Sequence, residues 1–244
     1  MKPFLFLGTR PEDDAAESEY LAVVRCGGLA EDDVRRRRLE REPLGDVDLD
    51  EWSGIILGGG PFNKSDPEAG KSAEQRRAEA ELHDLAERVV AADFPFFGAC
   101  YGIGILGSLG GGVVDRTHAE PIGATSVTLT EAGREDPLFE GLPETFDVFL
   151  GHKEAVSKLP EGAVHLASSA TCPVQAFRIG SNVYATQFHP ELDVDALCLR
   201  IEVYKNHGYF EPSQAQSLQD MARRSVVVEP PRLLKNFVER YARG

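Results

Sequence analysis

The stretch Phe96-Phe97-Gly98-Ala99-Cys100-Tyr101-Gly102-Ile103-Gly104 decides the fold. It reads as an apolar strand that ends in small residues, presents one thiol and turns into a glycine-rich helix. A strand-to-helix elbow of this kind holds a nucleophile in strained backbone. Small neighbours let the chain pass closely and leave the side chain exposed at the carboxyl edge of a sheet. A helix opening at Tyr101 aims unpaired N–H groups at the sulfur, where they favour negative charge or hold an oxyanion. The same residues also describe a structural cysteine at a buried strand end, because free cysteine is among the most buried residue types.

The flanking sequence supplies more units of the same kind. Phe4 to Leu7 is a compact apolar strand. Pro11 can open a helix, Glu12, Asp13 and Asp14 suit its positive end, and Gly27-Gly28 can stop it. Ile55-Ile56-Leu57 is a strand running into Gly58-Gly59-Gly60-Pro61. A helix is expected from about Ser72 to Ala92: Ser72 and Gln75 form a capping-box pattern, and Ala78, Leu82, Leu85, Val89 and Ala92 recur on one face. Uncharged strands between amphipathic helices predict a parallel sheet covered on both faces. In the second half, short strands are expected at Ser126 to Thr130, Phe146 to Leu150, Val164 to Ala167, Val174 to Ile179 and Val183 to Phe188, with a hairpin turn at Gly180-Ser181-Asn182. Helices follow around Leu197 to Tyr204 and after Pro230-Pro231, and a polar surface helix fits between Gly208 and Val228.

The 244 residues suffice for one large domain with a core that needs no staples. The formal net charge of −14 disfavours nucleic acid and anionic lipid as partners. Cys26, Cys100, Cys172 and Cys198 are far apart and form no CxxC pair, so free thiols in the cytoplasm are expected, without a zinc ribbon or a disulfide framework. The uncharged run from Phe94 to Val114 is long enough to span a bilayer, but seven glycines and Pro95 favour a strand, a turn, a short helix and a second strand. No metal-ligand spacing is visible, and no cofactor is expected.

Two further segments carry chemistry. In Gln187-Phe188-His189-Pro190-Glu191, a histidine follows a strand, proline fixes the turn, and Glu191 is close enough to orient the imidazole. A thiol nucleophile needs such a base, and the base needs such a carboxylate. Taken alone, such a segment is more often a surface turn. Gly58-Gly59-Gly60 lets backbone N–H groups approach a ligand, either an oxyanion or a phosphate. It lacks both the GKS/T ending of a P-loop and the GxGxxG pattern.

Taken together and in this order, Gly58-Gly59-Gly60-Pro61, Gly98-Ala99-Cys100-Tyr101-Gly102 and Gln187-Phe188-His189-Pro190-Glu191 resemble a class I, triad-type glutamine amidotransferase domain over roughly Pro3 to Asn206. The resemblance implies a flavodoxin-like three-layer α/β/α sandwich with a mostly parallel central sheet and an added antiparallel hairpin region. It implies Cys100 as nucleophile, His189 as general base and acid, Glu191 as orienting carboxylate, and the backbone of Gly60 and Tyr101 as oxyanion donors. Gly151-His152-Lys153-Glu154 is similar to a substrate-side stretch of the GMP-synthase-type branch, which makes His152, with Gly59, a substrate-binding candidate. The implied domain layout is 1–207 for the amidotransferase-like domain and 208–244 for a C-terminal helical extension packed on it.

The sequence departs from the family at one place. Where the family often carries a glutamine four residues after the nucleophile, this chain has Gly104, which offers no side chain to hold the substrate. Two alternatives to glutamine hydrolysis therefore stay open: a hydrolase of γ-glutamyl peptides or amines, and a non-catalytic regulatory subunit. The 244 residues leave no room for a domain that consumes ammonia, so the expectation is either a separate synthetase as acceptor or a free-standing hydrolase.

Overall fold

The protein is described here by a computed structural model covering residues 2–242. Its first half runs β1 (Phe4–Gly8), α1 (Asp13–Gly27), β2 (Val34–Arg38), β3 (Gly54–Leu57), α2 (Ala73–Ala91), β4 (Phe96–Ala99) and α3 (Tyr101–Gly107). Its second half holds β5 (Val113–Asp115), β6 (Glu120–Leu129), α4 (Glu131–Glu135), β7 (Thr145–His152), β8 (Ala155–Lys158), β9 (Val164–Ser168), β10 (Ala176–Ile179) and β11 (Val183–Thr186). Three helices close the chain: α5 (Val194–Tyr204), α6 (Ala215–Arg224) and α7 (Pro231–Tyr241).

Nine strands build one sheet in the order β2-β1-β3-β4-β11-β10-β9-β6-β7, and β5 pairs with β8 in a small antiparallel sheet. From β2 to β11 the neighbours are parallel, and from β11 to β7 they are antiparallel. The parallel half has helices on both faces because its strands are apolar on both faces. Leu5, Leu7, Ile55, Leu57 and Phe96 pack with Ala78, Leu82, Leu85 and Val89 of α2. Phe4, Phe6, Ile56 and Phe97 face the other way, onto Val23 of α1 and Leu234 and Phe237 of α7.

Local signals set several boundaries. Ser72 accepts the Gln75 N–H and starts α2, while the Gln75 amide turns to Asn63 and Glu79 instead of returning to Ser72. Gly28 takes a left-handed conformation at φ 66° and stops α1, as Gly27-Gly28 predicted. The span 94–114 is occupied by β4, α3 and the start of β5, and among the described residues no helix is long and apolar enough to cross a membrane.

The topology fixes the site. β1 is flanked by β2 on one side and β3 on the other, so the chain reverses direction there. Parallel strands end at one edge, where ligands bind open α/β sheets. Thr9-Arg10 follow β1, Gly58-Gly59-Gly60 follow β3, Cys100 follows β4, and the segment from Gln187 to Glu191 follows β11. The registers Leu57↔Gly98 and Ala185↔Gly98 bring the last three of these loops side by side.

Candidate active site

Cys100 sits at φ 52°, ψ −91°, a positive-φ conformation rare for a residue with a side chain. The strain is held from both sides. Its N–H donates to Thr186 O at 2.8 Å, and Gly98 lies so close to Gly102 that a Cβ there would stand 3.0 Å from the Gly102 backbone. The small residues before and after the thiol are therefore required by the elbow itself. The thiol is half-buried and opens into a pocket shared with His189 and Gly60.

His189 is brought in by β11 and fixed by its backbone N–H, which donates to Phe149 O of β7. Its Nδ1 donates to Glu191 Oε1 at 2.8 Å, which sets the tautomer; Arg200 Nη1 lies 3.1 Å from the same nitrogen, and the Cys100 side chain is a further neighbour of the imidazole. Burial opposes charge on the ring, yet the Glu191 carboxylate and the Cys100 sulfur outweigh it and push the imidazole up to about 9. Burial likewise opposes ionisation of Glu191, but His189 and Arg200 hold its carboxyl far below the usual range. The structure thus places Cys100, His189 and Glu191 in series at one sheet edge.

Behind this series lies a buried charge network that the sequence reading did not single out. Arg200 of α5 donates through Nη2 to Glu191 Oε1 at 2.8 Å and to Glu19 Oε1 of α1 at 3.3 Å. Glu19 also accepts Arg10 Nε at 3.0 Å and the Gly59 N–H at 3.2 Å. Arg10 continues to the Tyr204 hydroxyl. One carboxylate on α1 thereby ties the glycine loop after β3 to the carboxylate that orients His189. A signal existed: Glu19 lies among Ala15, Ala16, Ala22 and Val23, and Arg200 among Leu197, Ile201 and Tyr204, so opposite charges sit on the apolar faces of two helices. Removing one partner of such a buried set leaves uncompensated charge. Arg200→Met is expected to cost roughly 3 kcal/mol of stability in urea unfolding, because Glu19 and Glu191 would then face each other with one cation fewer.

The glycine loop is shaped by what it touches. A Cβ at Gly59 would stand 2.3 Å from His189 Cε1, and one at Gly60 would stand 2.0 Å from Thr9 Oγ1. Gly59 is already engaged: its N–H goes to Glu19 and its carbonyl accepts the Thr9 hydroxyl at 3.2 Å. Among the described residues, no loop hydrogen bond uses the N–H of Gly60 or Tyr101.

His152, a substrate-binding candidate in the sequence, is buried. Nε2 pairs with Glu120 Oε2 and Nδ1 with the Glu154 carbonyl, both at 2.9 Å. It lines a second, small cleft that also reaches Cys100, together with Asn63, Lys153, Glu154 and Gln187. The oxygen Oε1 of Gln187 is buried and has no hydrogen-bond partner among the described residues. Although the sequence spacing gives no metal cluster, the fold brings together Glu120, His152 and Cys172, and also Glu19, His189 and Glu191, each set with donor atoms within 4.8 Å. Both sets are tied into protein hydrogen bonds: Glu120 also accepts Gln175, Cys172 donates to Val174 O, and Glu19 and Glu191 share Arg200.

The Gly104 departure has a local cause. A Cβ there would stand 2.8 Å from Glu154 Oε1, so the Glu154 carboxylate occupies the room a side chain would need. That carboxylate accepts the N–H groups of Lys64 and Ser65 at 2.8 and 2.6 Å and cannot step aside without freeing both. Gly104→Gln is therefore expected to destabilise by about 1–3 kcal/mol through overpacking, with partial recovery in the Gly104→Gln, Glu154→Ala double variant, both read by thermal and urea unfolding.

The family model described as Glutamine amidotransferase class-I matches residues 23–196. GMP synthase [glutamine-hydrolyzing] of Thermosipho africanus is 33% identical over 142 residues, covering 57% of this chain and 24% of the relative. The protein of the same name from Streptomyces avermitilis is 37% identical over 109 residues, covering 44% of this chain and 20% of the relative. The chain thus spans about a quarter of the length of these curated relatives. Among solved structures, a glutamine amidotransferase from Thermotoga maritima aligns over 100% of both chains with a TM-score of 0.78 at 21% identity, and one from Methylobacillus flagellatus over 99% of this chain and 94% of its own with 0.74 at 20%. The matched span includes the loop after β3, the elbow at Cys100 and the segment through Glu191, and the chain belongs to the class-I glutamine amidotransferase family.

Proposed function

We propose that the chain hydrolyses the side-chain amide of glutamine through a thioester on Cys100. The sulfur attacks the carboxamide carbon, and the oxyanion is held by the N–H groups of Gly60 and Tyr101. The His189 imidazolium, stabilised by Glu191, gives its proton to the departing nitrogen, and ammonia leaves. The same imidazole then takes a proton from water, which attacks the thioester and releases glutamate and the thiol. The cleft that His189 does not line suits the amino-acid end: Gln187 Oε1 and the Glu154 carboxylate suit an ammonium, and Lys153 suits a carboxylate. In this reading His152 holds Glu154 in place and Gly59 shapes the loop against the imidazole. Residues 208–244 act as a helical extension of the same domain, the enzyme works in the cytoplasm, and a separate synthetase accepts the ammonia.

The observation that carries this reading is that Cys100 and His189 line one pocket while the buried Glu191 accepts the hydrogen bond of the imidazole Nδ1. Its test is ammonia and glutamate release from glutamine, with and without candidate synthetases. Stoichiometric release is the expected result, and no release under either condition would overturn the assignment.

A further inference from the structure

We infer that Thr9 is a positioning residue for the oxyanion hole: its hydroxyl fixes the peptide between Gly59 and Gly60 so that the Gly60 N–H faces the developing oxyanion. Thr9 in this role rests on the thioester chemistry proposed above and adds the residue that keeps one of its donors in place.

The need for such a clamp comes from the loop's own sequence. A Cβ would run into His189 at Gly59 and into Thr9 at Gly60, so both places require glycine. Three glycines in a row, Gly58 to Gly60, leave the backbone free to turn. An oxyanion hole stabilises the transition state only when its dipoles are set beforehand, and a donor that swings loses that effect. The order of this loop must therefore come from outside it.

Gly59 is gripped on both sides. β1 and β3 run parallel with Leu7 beside Leu57, and the Gly58 N–H donates to Leu7 O at 3.0 Å, which brings Thr9 out next to the glycine loop. The Gly59 N–H donates to Glu19 Oε1 at 3.2 Å and fixes the peptide before it. The Gly59 carbonyl accepts the Thr9 hydroxyl at 3.2 Å and fixes the peptide after it. A trans peptide is planar, with its C=O and N–H pointing in opposite directions. With the carbonyl on Thr9, the Gly60 N–H is turned away from Thr9, and Gly60 lines both clefts that reach Cys100. Thr9 is fully buried, and among the described residues the bond to Gly59 is the only hydrogen bond of its side chain. A turned-over peptide would leave that buried hydroxyl without a partner, which opposes the turn.

Glutamate release from glutamine by the purified chain tests this role. Thr9→Val keeps the shape of the side chain and removes the donor. It is expected to lower kcat by about 10²-fold with little change in KM, because the oxyanion exists only in the transition state. Thr9→Ser keeps the hydroxyl and is expected to stay within about threefold of wild-type kcat. Alkylation of Cys100 by iodoacetamide, followed by peptide mass mapping, forms no oxyanion and depends on the thiolate, so its rate should shift by less than about twofold in Thr9→Val. Thr9→Ala also lacks the hydroxyl and takes the place of the valine variant if that one does not fold. A folded variant without the hydroxyl that keeps wild-type kcat would overturn the clamp and leave the thioester reading standing. Equal losses of turnover and alkylation, or a serine variant as slow as the valine one, would overturn it too. No glutamate from wild type would overturn both.

Discussion

Cys100→Ser is expected to abolish glutamate release while leaving the fold intact. The elbow's geometry comes from backbone contacts: the Cys100 N–H on Thr186 O, and Gly98 against Gly102. The thiol itself adds no structural bond that serine would lose. Removing the nucleophile of a triad that works as a unit costs about 10⁶ in turnover, because the remaining members have nothing to activate. Stability should stay within about 0.5 kcal/mol of wild type, the range of substitutions that touch no structural feature. Wild-type turnover in the serine variant, measured on material free of wild-type protein, would remove the sulfur from the mechanism.

His189→Ala is expected to lower turnover by about 10²–10⁴, the range for loss of a positioned acid–base group. This variant also carries a pH signature. His189 is pushed up to about 9 in the folded chain, against about 6.5 unfolded. Its contribution to stability is therefore fully present below about pH 6.5 and is lost as pH rises through about 9. Glu191, held low, contributes above the ordinary carboxylate range and loses that contribution only as pH falls towards its depressed value. Thermal melts from pH 6 to 10 should show wild type losing stability on the alkaline side and His189→Ala losing much less. Equal alkaline losses in the two proteins would contradict the imidazolium–carboxylate pairing.

The parallel half of the fold was legible because β1, β3 and β4 are apolar on both faces, and glycine or proline marks their ends. β2 was not. Its sequence, Val34-Arg35-Arg36-Arg37-Arg38, carries none of the apolar pattern of a strand. It is an edge strand whose arginines turn to partners such as Glu17, Asp13 and the Leu44 carbonyl, so its signal lay in its neighbours. β6 runs six residues earlier than expected, from Glu120, because its first half is half-exposed and mixed in polarity. The placement of Cys100 and of the segment from Gln187 to Glu191 after strands could be read directly, since apolar runs lead into small or turn-forming residues there. Glu19, Arg10 and Arg200 come from three separate elements, and only packing α1 and α5 against the sheet edge reveals that their charges meet. Glu154 was hidden for a related reason: the empty place at Gly104 is filled by a side chain fifty residues further along the chain.

The most direct measurement is covalent labelling by a glutamine-analogue electrophile, followed by peptide mass mapping. Burial pushes the thiols of Cys26 and Cys172 up to about 11 and raises that of Cys198, and neither cleft at the sheet edge includes any of the three. One adduct per chain on Cys100, lost in Cys100→Ser and protected by excess glutamine, is the predicted result. An unmodified Cys100, or labelling that glutamine does not protect, would contradict a site in which this sulfur meets the substrate's amide.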